Sequence, residues 1–168
     1  AQPLIHDQIV KQIGAFETLM STLPIMARSG LQIELRTVIL QQNYSGLSDL
    51  SKFVARKLPF ISVWAIMQLE RIGFAKNRWE QQFVDHSSDL TPLRHAVSTA
   101  KAQNLNVSLF NIPYCTVTPN LRSYLSQSIS DWKQSFPDDC NDCRAKHLCT
   151  GFFEWHSTLE DFALGGAL

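Results

Sequence analysis

The chain has 168 residues, 45% of them apolar, and its 15 Lys and Arg are balanced by 15 Asp and Glu. A zero formal charge supplies neither the basic field that wraps nucleic acid nor a polybasic signal for an anionic membrane. The apolar content is enough for a real core, no apolar run reaches the length of a membrane span, and no export signal opens the chain. The expectation is a soluble, cytoplasmic chain of ordinary single-domain length.

The elements alternate. Phe16, Leu19, Met20, Leu23, Met26 and Ala27 recur at helical spacing over 16–29, with Pro24 as a point of kinking and Gly30 as a stop. Leu31 to Leu40 reads as a strand, and Asn43, Ser45 and Gly46 as a loop. Leu47 to Leu58 returns to helical period, then Phe60 to Met67 is a nearly all-apolar strand of the kind buried in a parallel sheet. Gln68 to Asp85 reads as a long irregular connection. Thr91-Pro92 opens a helix to about Gln103, and Asn106 to Phe110 is a third strand. A last helix is expected from Pro119 through Leu121, Leu125 and Ile129 to Trp132. Strands alternating with helices imply right-handed crossovers and a parallel α/β sheet. Three strands are few for such a sheet, and the pattern begins in mid-course without a methionine, so a piece of a larger barrel or sheet is expected.

Cysteine placement carries the chemistry. Cys140, Cys143 and Cys149 crowd into one segment, and Cys115 lies well upstream. A Cys-x2-Cys step lets two thiolates of one turn point at the same ion or cluster, a third can close the site a turn later, and Cys115 would complete four. The spacing favours a metal site over disulfides, and leaves zinc and iron–sulfur equally open. A site of three cysteines and His147, which lies between Cys143 and Cys149, is a conceivable variant, but with four cysteines available His147 is left outside the ligand set. His6, His86, His95 and His156 show no joint spacing.

The block Ser108 to Cys115, then Ser128 to Lys133, then Cys140-x2-Cys143-x5-Cys149-Thr-Gly-Phe-Phe resembles the C-terminal part of the His-Xaa-Ser system radical SAM maturase family. His6-Asp7, Gly14-Ala15-Phe16, Ile33 to Arg36 and Met67 to Ala75 are similar to the same family in the same order, so the resemblance spans about His6 to Phe153. It implies the C-terminal half of a partial (β/α)6 radical SAM barrel over residues 1–112. An auxiliary cluster-binding extension would follow over 113–168. It also implies an auxiliary [4Fe–4S] cluster on Cys115, Cys140, Cys143 and Cys149, and tilts the metal towards iron–sulfur. S-adenosylmethionine and a second [4Fe–4S] cluster would join only with a missing N-terminal half, because the Cys-x3-Cys-x2-Cys signature of the superfamily is absent here. Alone, the chain should generate no radical.

The partners implied are a precursor peptide, such as one with His-Xaa-Ser repeats, and the missing half or a companion maturase. Arg36, near a strand end, is placed to clamp the carboxylate of S-adenosylmethionine, against an ordinary ion pair with Glu34. Asn43, Gln68 and Glu70 are weaker cofactor-facing candidates, against roles in solvated loops. Asn111 and Asp131 are candidates for ordering the cluster loop, Gly151 for close approach to a cluster, and Phe152 and Phe153 for its apolar wall. A different class of function stays open, a non-enzymatic scaffold built on a four-cysteine zinc site.

Overall fold

The computed structural model describes residues 2–155 and 162–163. Three parallel strands, β1 (Glu34–Val38), β2 (Val63–Met67) and β3 (Val107–Phe110), form a sheet in the order β1-β2-β3. Arg36 stands opposite Ala65, and Ala65 opposite Ser108. The crossovers are α3 (Leu47–Lys57) and α6 (Thr91–Ala102). Because each crossover steps the same way along the sheet, both helices fall on one face.

Strand parity makes the asymmetry plain. Leu35, Trp64, Ile66, Val107 and Leu109 point into the core, where they meet Leu47 and Val54 of α3 and Leu93, Ala96, Val97 and Ala100 of α6. Trp64 is wholly buried and still satisfies its indole by donating to Thr37 Oγ1 at 3.0 Å. Small residues bring the two helices close, and Ser51 Oγ donates to Ala96 O at 2.8 Å. On the opposite face Glu34, Arg36 and Val38 are exposed and Val63, Met67, Ser108 and Phe110 are half-buried. Only Ala65 is fully covered on that face; the Arg36 guanidinium lies 5.7 Å from the Phe110 ring centre, two strands away.

Upstream, α1 (Pro3–Val10) starts on a proline that needs no hydrogen-bond partner and buries none of its residues. α2 (Ala15–Arg28) follows. Asp7 holds its start, accepting from Gly14 N at 2.6 Å and Phe16 N at 2.8 Å, and those N–H groups, Phe16 foremost, hold its carboxyl below the usual carboxylate range. α2 continues through Pro24 and stops at Gly30, whose φ of 77° is the left-handed turn that glycine adopts without strain. The connection after β2 holds two single turns, α4 (Gly73–Lys76) and α5 (Trp79–Gln82), where an irregular segment is expected from sequence. Asp89, rather than Thr91, supplies the side-chain acceptor at the start of α6, taking the Thr91 N–H at 2.9 Å.

The last expected helix is a correction. Only α7 (Pro119–Arg122) is helical, and residues 124–126 run extended beside β3. Leu109 N donates to Tyr124 O at 2.7 Å and Ser126 N donates to Leu109 O at 2.9 Å, while Ser126 Oγ meets Ser108 Oγ at 2.6 Å. These long-range bonds compete with helix continuation, and a serine-rich sequence offers it little support. Beyond, β4 (Gln134–Ser135) and β5 (Phe152–Phe153) form an antiparallel pair that brackets the cysteine segment. Among the described residues no helix is long and apolar enough to cross a membrane.

Candidate metal centre

Parallel strands end together, so the loops after β2 and β3 leave the sheet side by side. Asn111 turns the chain out of β3 with a left-handed φ of 59°. Its N–H donates to Ser128 Oγ at 2.7 Å, and that hydroxyl donates to Asn111 Oδ1 at 3.0 Å. Thr150 Oγ1 accepts from Ser128 N and Ile129 N, both at 3.0 Å. The residue after Cys149 is thereby fastened to the end of β3.

A second network fixes the loop of Cys115. His86 is fully buried between Gln68 and Thr116. Thr116 Oγ1 donates to Pro113 O at 2.8 Å, so it accepts from His86 Nε2 at 2.8 Å. His86 Nδ1 is then the acceptor for Gln68 Nε2 at 2.9 Å. Gln68 also donates to Val84 O at 3.1 Å and accepts from Leu69 N at 2.7 Å. Every polar atom of the relay is satisfied with imidazole neutral. Burial pushes the His86 pKa down to about 4, against the opposing charge of Asp85.

These two networks bring the cysteines together. Cys115 sits in a tight turn, Tyr114–Thr116, and Cys140 ends another, Asp138–Cys140. Cys140 and Cys149 are buried, Cys115 and Cys143 half-buried, and all four are thiols. Cys140 packs with Phe152 and Phe162, against Cys115 and Phe136. Cys149 Sγ accepts from Tyr114 N at 3.2 Å and Gly151 N at 3.3 Å, a direct link between the two cysteine segments. Gly151 has φ 73°, and a Cβ there would stand 2.7 Å from Gln134 Cγ and 3.1 Å from Ser135 O, so any other residue would be strained and would have to displace its neighbours.

Burial pushes the Cys140 thiol up to about 11; the charges that Cys115, Cys149 and Cys143 would carry push the same way, and Lys146 opposes them. The Cys149 thiol is also raised, chiefly by burial, with its two N–H donors opposing. Cys140, whose thiol is held up in part by the charges its three neighbours would carry, belongs to a donor set suited to a cation, since only positive charge makes several adjacent thiolates tolerable. As they stand, no three His, Cys, Asp or Glu side chains among the described residues are grouped to hold a metal ion. A pocket of about 570 Å³ opens onto Cys149, with Ile129, Phe136, Lys146, His147 and Asp131 on its walls.

The other candidates fall in different places. Arg36 pairs with Glu34 through Nε and Oε1, and 59% of its side chain is exposed on the open sheet face. Asn43 closes the loop after β1, accepting from Leu40 N and donating to Val38 O, each at 2.9 Å. Gln68 has its amide committed to the relay. Glu70 accepts from Lys133 Nζ at 2.9 Å in a pair whose side chains are about one-fifth exposed, 19% and 21%. Asp131 and His147 are exposed at the pocket rim, His95 is exposed on α6, and His6 pairs with Asp7 at 3.2 Å. His156 lies outside the described residues. Phe152 packs against Cys140, and Phe153 stacks on Trp155 instead. The contributions of His86, Thr116, Ser128 and Thr150 were invisible in sequence, because each acts through a partner 16 or more residues away.

No family model, curated protein or solved structure matches this chain.

Proposed function

We propose that the chain is the C-terminal portion of a radical S-adenosylmethionine enzyme that modifies a precursor peptide, with an auxiliary [4Fe–4S] cluster on Cys115, Cys140, Cys143 and Cys149. The observation that carries this reading is the gathering of thiols from two segments at the C-terminal end of a parallel sheet. That sheet winds in one direction, with both crossover helices on one face. Sheets of this winding close into barrels, whose ligands sit at the C-terminal strand ends. The uncovered face with Arg36, Met67 and Phe110 corresponds to the inside of a partial (β/α)6 barrel.

The donor set suits the cluster: thiolate sulfur, two N–H donors on Cys149 Sγ, an apolar wall of Phe136 and Phe152, and a glycine where backbone must approach closely. When bound, the cluster supplies electron relay or an anchor for substrate. The protein's own part is to hold four sulfurs, exclude water with the phenylalanines, and offset negative charge with Lys146. Arg36 keeps the exposed charged head that a carboxylate clamp needs, whereas Asn43 and Gln68 order the strand ends. Cleavage of S-adenosylmethionine would need the Cys-x3-Cys-x2-Cys loop of another segment.

The test is anaerobic reconstitution with iron and sulfide, and separately with zinc, followed by metal analysis and a visible spectrum. The reading predicts about four irons and four sulfides per chain. One tightly held zinc that iron and sulfide fail to displace would overturn it. That result would favour the four-cysteine zinc scaffold.

A further inference from the structure

The two edges of the sheet differ. The outer edge of β3 is occupied by residues 124–126, which pair with Leu109 in parallel. Among the described residues, β1 is paired on its inner side only. Ser62 N donates to Ile33 O and Ile39 N donates to Met67 O, so residues 33, 35, 37 and 39 turn their main-chain groups towards β2. Parallel ladders alternate strictly, and the N–H and C=O groups of Glu34 and Arg36 therefore point outward. Val38 points its N–H the same way, while its carbonyl is taken by Asn43.

A groove of about 390 Å³ runs along this edge. Four consecutive residues, Leu35 to Val38, line it. Consecutive strand residues point to opposite faces, so a groove that touches all four lies on the edge itself and not on one face. Its far wall is apolar, built by Ile9 of α1, Phe16, Leu19 and Met20 of α2, and Phe53 of α3. Burial adds a further argument. α2 leads directly into β1 and contributes Leu23 to the same core as α3 and α6, which places it on the helical face. A helix in that position, followed by a strand, has the placing of the second half of a right-handed crossover, whose first strand would lie next to β1 and parallel to it.

We propose that the β1 edge is an acceptor for one parallel β-strand supplied by a separate polypeptide segment. Apolar side chains at alternate positions of that strand would fill the groove beneath α2, and polar ones would face the Glu34–Arg36 side. The match is specific in chemistry: outward main-chain donors and acceptors call for extended backbone, and a one-sided apolar wall calls for alternation. The inference rests on the fold alone, so loss of the cluster reading leaves it standing.

The test is titration of the full chain with an acetylated, amidated peptide, Lys-Val-Thr-Val-Thr-Val-Lys, followed by amide NMR and hydrogen exchange. Saturable shifts and new protection at the amides of Glu34, Arg36 and Val38 are expected, with intermolecular contacts in parallel register. Methylating the two peptide nitrogens that face β1 should weaken binding about tenfold, whereas methylating the alternate nitrogens should not. This control leaves the protein unchanged. Val38→Pro, which removes an outward N–H without touching the β2 ladder, should reproduce the loss. Three results would overturn the proposal: no shift at millimolar peptide, protection of these amides in the peptide-free monomer, or concentration-dependent protection from a second copy of the chain.

Discussion

Replacing His86 with Gln should flatten the acid limb of the stability curve. His86 is fully buried, donates to Thr116 and accepts from Gln68, and its pKa lies near 4 where an unfolded histidine titrates at 6.5. The unfolded chain therefore takes up this proton as pH falls through 6.5, while the folded chain resists until about 4. Stability from this group is fully present above 6.5 and is lost progressively towards 4. Integrating that difference from about pH 7.5 to about pH 4.5 gives roughly 2.5 kcal/mol of lost stability from one residue. The Gln variant begins less stable, since it strains a satisfied relay, but lacks this loss. Urea midpoints across the range, converted with a common m-value, measure the difference. Parallel pH curves for the two proteins would refute the buried neutral relay, and with it the account of how the Cys115 loop is anchored.

Further outcomes follow from other contacts. Gly151→Ala should destabilise the fold by about 2 kcal/mol or more, because it forces a left-handed residue and presses a Cβ against Gln134 and the Ser135 carbonyl; thermal unfolding reads it. Asn111→Gly should be less damaging than Asn111→Ala by roughly 1 kcal/mol, since both lose the Ser128 bond but only alanine is strained at φ 59°. Lys133→Met should cost about 1 kcal/mol and lose its salt sensitivity, whereas equal salt dependence in both proteins would show that the Glu70 pair contributes nothing.

The legible parts of the fold were those written in local pattern. All three strands and helices α2, α3 and α6 stood where β-branched runs and helical spacing put them, the helices within a residue at each end and the strands shortened by up to three. The parallel order followed from alternation alone. The failure over 119–132 is instructive, because Leu121, Leu125 and Ile129 recur every four residues as in a helix. Their spacing serves a different end: Leu121 and Ile129 are buried on either side of a segment that pairs with Leu109. Local periodicity carries no information about such a partner.

At the site, Cys-x2-Cys spacing marked a segment that folds back against the turn holding Cys115, where Cys149 Sγ accepts from Tyr114 N. Glu34 was legible as the rival partner for Arg36, being two residues away on the same strand face. Lys133 as the partner of Glu70, and His86 as the holder of Gln68, were not legible. Both join chain segments that only the folded sheet brings near.

One measurement bears most directly on whether two separate segments build a single metal site. Iron and acid-labile sulfide per chain should be determined after reconstitution for the wild-type protein and for Cys115→Ser side by side. If Cys115 completes the shell begun by Cys140, Cys143 and Cys149, the wild type holds about four irons and the variant loses most of them or decays quickly in air. Equal and stable iron in both proteins, or none in either, would contradict the assignment.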